Sequence, residues 1–167
     1  KARSLPAFKV AVFALFFSFF SIVPYYLHTQ LFTGPMVNAI LLMTVLLVGP
    51  MEAIILGLIP SSVALSSGLL PLPLAPMIPF IMMSNALFVA SFAYLQPVNY
   101  WLAVVLAALL KFAFLSLCFT YLLGSLLPEQ MLPQVAAMMS WPQLVTAISG
   151  GVIAFGILKS VERLRHT

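Results

Sequence analysis

Apolar residues in this chain run on for span-like lengths, and short clusters of Pro, Gly and polar residues interrupt them. A helix needs about 20 mostly apolar residues to cross a bilayer. On that measure the chain divides into six runs, at 7–27, 36–49, 51–69, 77–95, 98–123 and 143–159. The run at 36–49 is short, so it either starts earlier or forms a tilted or partial span. Polar or Pro-rich connections separate the runs: HTQLFTGP, VGPME, LLPLPLAP, LQPVN and the stretch near 124–142. The expected fold is an all-α integral membrane protein, a single bundle of six transmembrane helices in one domain spanning 1–167, with no internal repeat.

The basic residues orient the bundle. Six of the seven Lys and Arg residues lie near the chain ends, at Lys1, Arg3, Lys9, Lys159, Arg163 and Arg165. No connecting loop carries one. Basic residues flanking spans favour the cytoplasm. Both termini are therefore expected to be cytoplasmic, which requires an even number of spans and agrees with six. HTQLFTGP, LLPLPLAP and the 124–142 stretch then face outward.

Composition narrows the class. The chain is 63% hydrophobic and only 6% charged, where soluble domains carry about 25% charged residues. Soluble and disordered readings both fail on that ground. No small-residue cleavage site follows the first run, so a retained span is expected there rather than a signal peptide. One cysteine, Cys118, excludes a disulfide framework and a Cys-based metal cluster. The net charge of +4 forms no basic patch in a polar domain, so nucleic acid is not an expected partner. No GxxxxGK[ST], HExxH or GxSxG occurs, and no pair of membrane carboxylates suggests a proton relay. No enzymatic activity, metal or cofactor is expected.

The seventh basic residue, Lys111, stands inside AALLKFAFL at the centre of the fifth run. A lysine at a helix centre costs about 2.5–3.5 kcal/mol on insertion scales. Ala107 and Ala108 lie one turn before it and admit a close neighbouring helix. On the functional reading, Lys111 lines a polar cavity and binds an anionic or carbonyl-bearing ligand. On the structural reading, it bonds backbone carbonyls or Asn85. Asn85, within PFIMMSNALFV, also needs partners in hydrocarbon; it bonds either a ligand or a neighbouring helix.

In WPQLVTAISGGVIAFG, Thr146, Gly150 and Ala154 stack at spacing four, and Ala147 and Gly151 form a second pair. Small residues so spaced let helices approach. Gln143 and Thr146 are candidates to face an outward-opening cavity, and Trp141 is placed as an interface anchor. Glu52 is read as the cap of the third span, where a carboxylate suits the helix dipole. Glu129 is read as solvated. His28 and Gln30 in the first outer loop matter only if that loop folds over a ligand. The nine methionines suit adaptable apolar packing. Ala7 and Ala11 form a small-residue pair that suits a partner helix or internal packing.

Taken in order, LLVGPMEAIILGLIPSSVAL, LLPLPLAPMIPFIMMSNALF, AALLKFAFL and WPQLVTAISGGVIA, on six short spans, resemble the S component of energy-coupling factor (ECF) transporters. This is the substrate-binding membrane subunit of that family. The resemblance covers most of 7–159 and rests on the order and placement of these stretches. Ala7 and Ala11 match the family's AxxxA feature, which contacts the transmembrane T subunit.

The resemblance implies capture of a vitamin or other micronutrient from outside, docking on a T subunit carrying two ATPases, and a bacterial or archaeal inner (plasma) membrane. By analogy Asn85, Lys111, Gln143 and Thr146 fall where substrate contacts occur. The two outer loops, with His28, Gln30, Pro73 and Pro76, would be the gates. A membrane scaffold without ligand and a stand-alone facilitator are the alternative readings.

Overall fold

The computed structural model describes residues 6–22, 26, 30–68, 70, 72–122, 127 and 129–164. Among them the chain forms α1 (Pro6–Ile22), α2 (Gln30–Leu47), α3 (Pro50–Gly57), α4 (Ile59–Ser66), α5 (Ile78–Leu95), α6 (Tyr100–Tyr121), α7 (Leu132–Met139) and α8 (Trp141–Leu164). Two 3-10 segments, Leu72–Met77 and Glu129–Met131, precede α5 and α7. Three helical stretches, Ala75–Leu95, Tyr100–Tyr121 and Glu129–Arg163, are long and apolar enough to cross a membrane. Three shorter apolar stretches, Pro6–Ile22, Phe32–Leu47 and Pro50–Ser66, complete an all-α six-helix bundle. This architecture is consistent with a multi-pass membrane protein.

The six runs of the sequence reappear with shifted edges. The first helix is described to Ile22, short of the expected 27. The second starts at Gln30 and carries Pro35 within it, so most of HTQLFTGP is helix rather than loop. The third run is two helices. Pro60 has no N–H to continue the ladder, and the chain turns at Leu58 between Gly57 and Ile59. LPLAPM is a 3-10 helix rather than an open loop. The expected 124–142 connection contains α7. The fifth helix starts cleanly because Asn99 caps it, its side-chain oxygen accepting the Leu102 N–H at 3.0 Å.

Glu52 does not cap α3. Gly49 holds the N-cap position, and Glu52 lies in the first turn beyond it. Its carboxylate folds back over Gly49, so its favourable contact is with the positive helix end rather than a cap of its own. Glu129 is exposed, as expected.

Lipid tails are as apolar as leucine, so helix association in a membrane depends on close packing and hydrogen bonds. The closest seams here are made by glycine. A methyl group on Gly150 would meet Asn38 Cβ at 2.6 Å, Ala39 N at 2.8 Å and Pro35 O at 2.9 Å. One on Gly34 would meet Thr146 Cγ2 at 2.9 Å. Residues 34–39 thus run alongside 146–150, and α2 lies parallel to α8. The Thr146–Gly150 stripe of the sequence is this seam. Gly151, on the neighbouring face, gives the same close approach to Val104 of α6.

α5 and α6 run antiparallel. Phe92 meets Tyr100 edge-on at 5.5 Å, near their turn, while Asn85 meets Lys111 further along. Tyr100 also donates its hydroxyl to Gly151 O at 2.8 Å, joining α6 to α8.

Candidate functional site

Lysine is a donor without acceptor capacity, and this fixes the polar arrangement around it. Lys111 is 3% exposed. Its Nζ donates to Asn38 Oδ1 at 2.9 Å and to Asn85 Oδ1 at 2.8 Å. Each amide therefore turns its oxygen to the lysine and its NH2 outward to another acceptor. Asn85 Nδ2 donates to Gly57 O at 2.9 Å. Asn38 Nδ2 reaches Thr146 Oγ1 at 3.5 Å, the long limit of such a bond. The Thr146 hydroxyl in turn donates to Gln143 O at 3.2 Å, and Gln143 Nε2 to Met138 O at 3.1 Å. The Phe88 ring lies 5.3 Å from Nζ, within cation–π range.

Two directed chains of bonds thus leave one lysine. The first runs from α6 through α5 to the broken end of α3. The second runs from α6 through α2 to α8 and on to α7. Local sequence makes both possible. The break at Leu58 presents Gly57 O to a side chain, and Gly57 has no Cβ to obstruct Asn85, whose own Cβ would lie 3.2 Å away. Gly34 likewise leaves room for Thr146.

A cavity of about 370 Å³ opens beside this network. Its polar wall includes Asn38, Ser61, Asn85, Lys111, Gln143 and Thr146; Leu70, Met77, Ile81, Met138 and Met139 supply apolar surface. Its volume falls within the 300–1,000 Å³ range of small-molecule sites. The lining residues come early in α2, α5 and α8, from α4, the second of the two helices in the third run, and from the second half of α6. With α2 and α8 parallel and α5 and α6 antiparallel, these positions share one end of the bundle. Leu164, at the far end of α8, belongs to the other.

The structure brings Asn85, Lys111, Gln143 and Thr146 together, each on the cavity wall and each in the bonded network. Lys111 and Asn85 also bond each other, so the two readings of the lysine coexist: it is bound by its own bundle and it borders open space. The gate candidates are not part of this group. His28 lies outside the described residues, as do the side chains of Gln30 and Pro73. Gln30 is the first residue of α2, Pro73 lies in the 3-10 segment, and Pro76 is exposed there. Ala7 and Ala11 are exposed on α1 and do not line the cavity. Trp141 is exposed at the start of α8.

Two wall residues escape the sequence reading. Asn38 is an amide in the short second run, open to the same argument that singled out Asn85. Ser61 is an ordinary serine in SSVALSS by sequence; only its burial and lack of a partner set it apart. No group of His, Cys, Asp or Glu suited to a metal ion occurs among the described residues. No family model, curated protein or solved structure matches the chain.

Proposed function

We propose that this chain is the S component of an ECF-type importer in a bacterial or archaeal cell membrane. It captures a vitamin or other micronutrient from outside and releases it after docking on a T subunit with two ATPases. The observation that carries this reading is the cavity of about 370 Å³ at the bundle end opposite the last turns of α8, with Lys111 on its wall. With both termini cytoplasmic, that end faces outward. A pocket set into one end of the bundle suits a capture protein better than a channel. The exposed Ala7–Ala11 strip on α1 is available to a partner helix. The segments around Gln30 and Pro73–Pro76 border the outward end and are the proposed gates.

The bonds from Lys111 to Asn38 and Asn85 favour one rival, a scaffold subunit that uses the lysine only as glue. Transport assays separate the readings. The purified chain in liposomes is expected to bind its solute tightly and pass none across. Uptake should appear only when the T subunit and both ATPases are supplied. Solute flux through the chain alone would make it a facilitator. Absence of any bound solute from protein purified out of native membranes would leave the scaffold.

A further inference from the structure

The cavity wall carries a lysine and no carboxylate. The chain has three acidic residues, Glu52, Glu129 and Glu162, and no aspartate. None of the three lines the cavity. Glu52 is in the first turn of α3, Glu129 in the 3-10 segment before α7, and Glu162 near the end of α8. The Lys111 ammonium is thus met by two neutral amides and a ring face, with no carboxylate. An ammonium offers three donors, and the side-chain bonds among the described residues use two. Buried charges in proteins are normally paired as well as hydrogen-bonded.

The second observation is Ser61. Its residue is 5% exposed, and its Oγ has no hydrogen-bond partner among the described residues. It lines the same cavity as Lys111. It lies one turn beyond Gly57, whose carbonyl holds the amide that holds the lysine. Burying a hydroxyl without a partner costs free energy, and Ser61 is among the residues that line the cavity.

We infer that Ser61 Oγ and Lys111 Nζ together hold the head group of the captured solute, and that this head group is a monocarboxylate. One carboxylate cancels the single positive charge, accepts the third lysine proton and takes the serine hydroxyl's hydrogen. A dianionic phosphate would leave an excess negative charge in a wall with no second cation, so charge balance selects against it. Met77, Met138, Met139 and Ile81 set the rest of the solute as an apolar body that flexible thioethers accommodate. This inference rests on the capture reading and names the chemistry of that same site.

Two linked measurements test it. First, small molecules released by denaturing protein purified from native membranes are identified by mass spectrometry. Second, the purified chain is titrated with benzoate, phenylpropanoate and octanoate, each beside its carboxamide, and with phenyl phosphate, the readout being the shift in thermal unfolding. The expected results are release of a monocarboxylate and stabilisation by carboxylates at concentrations at least tenfold below their carboxamides. Ser61→Ala should raise the dissociation constant of the best carboxylate about ten- to a hundredfold, the loss of one hydrogen bond to a charged group. Ser61 Oγ makes no bond among the described residues, so this variant should fold like the parent, and its binding can be read where a lysine variant loses stability.

Release of a neutral or cationic compound overturns the monocarboxylate and leaves solute capture standing. Equal response to carboxamides or a stronger response to phenyl phosphate does the same. No released molecule and no response to any probe overturns capture itself.

Discussion

The face of α6 that points into the bundle passes through two different interiors. On one side of Lys111 lie Ala103, Val104, Ala107 and Ala108, packed with Leu41, Leu42, Phe88 and Phe92. On the other side lie Leu115 and then Met77, Val135 and Met139. The first region closes because alanine and glycine let backbones approach and large rings fill what remains. The second is built from broken helices, a 3-10 segment and methionines, and it leaves the cavity. Lys111 stands at the boundary, with its stem one turn from Ala107 and its ammonium among amides. In a membrane, where apolar surface alone does not drive helices together, rigidity comes from small residues and from directed polar bonds. The bundle uses the first at one end and the second at the junction.

The sharpest way to break this contrast is to enlarge a seam glycine. Gly150→Val places methyl groups against the backbone of Ala39 and Pro35, which cannot rotate away. A loss of about 3 kcal/mol is expected, the upper part of the overpacking range. Thermal unfolding in detergent should show it. An unfolding temperature like that of the parent would mean that α2 and α8 are not held at this distance.

The next effect falls on the junction. Lys111→Met keeps the apolar stem but orphans two amide oxygens, each costing about 1–3 kcal/mol when unpartnered. Removing the lysine also removes its own insertion cost of about 2.5–3.5 kcal/mol. These effects oppose one another, and the orphaned pair is expected to prevail by about 1–2 kcal/mol. Solute affinity should fall at least tenfold, about 1.4 kcal/mol. A cycle with Asn85→Leu separates glue from ligand contact. Coupling of about 1–3 kcal/mol is expected in the free protein. Additive stabilities would mean the bond at 2.8 Å contributes nothing to the fold.

The sequence carries the two regions unequally. The spans and the close seam are written in composition and in spacing four, because lipid leaves few alternatives to helix and helices meet through small residues. Lys111, Asn85, Gln143 and Thr146 were legible for a related reason: a polar group inside an apolar run has to find partners. What spacing does not carry is which partners it finds. Asn38 becomes a partner of the lysine only when α2 and α6 both pack against α8, and its helix reaches back through Pro35 to Gln30. The break at Leu58 was present as Gly57 and Pro60, but its effect, a carbonyl offered to Asn85, depends on where α5 lies. Ser61 has no sequence signal at all, since a serine after proline is common at a helix start.

The smallest effect is also the cleanest contrast between a polar group used by the fold and one left to a solute. Ser84 and Ser61 are both buried serines. Ser84 donates to Ile81 O at 2.8 Å, whereas Ser61 Oγ has no partner among the described residues. Ser84→Ala therefore gives up a bond and should lower stability by about 0.5–1.5 kcal/mol. Ser61→Ala gives up none and should stay within about 0.5 kcal/mol of the parent, or gain slightly by removing a dry hydroxyl. With solute at saturation the order should reverse, because only Ser61 gains a partner on binding. Matched unfolding curves with and without a carboxylate probe give all four values. If Ser61→Ala is the costlier of the two in the free protein, its hydroxyl serves the fold rather than a solute.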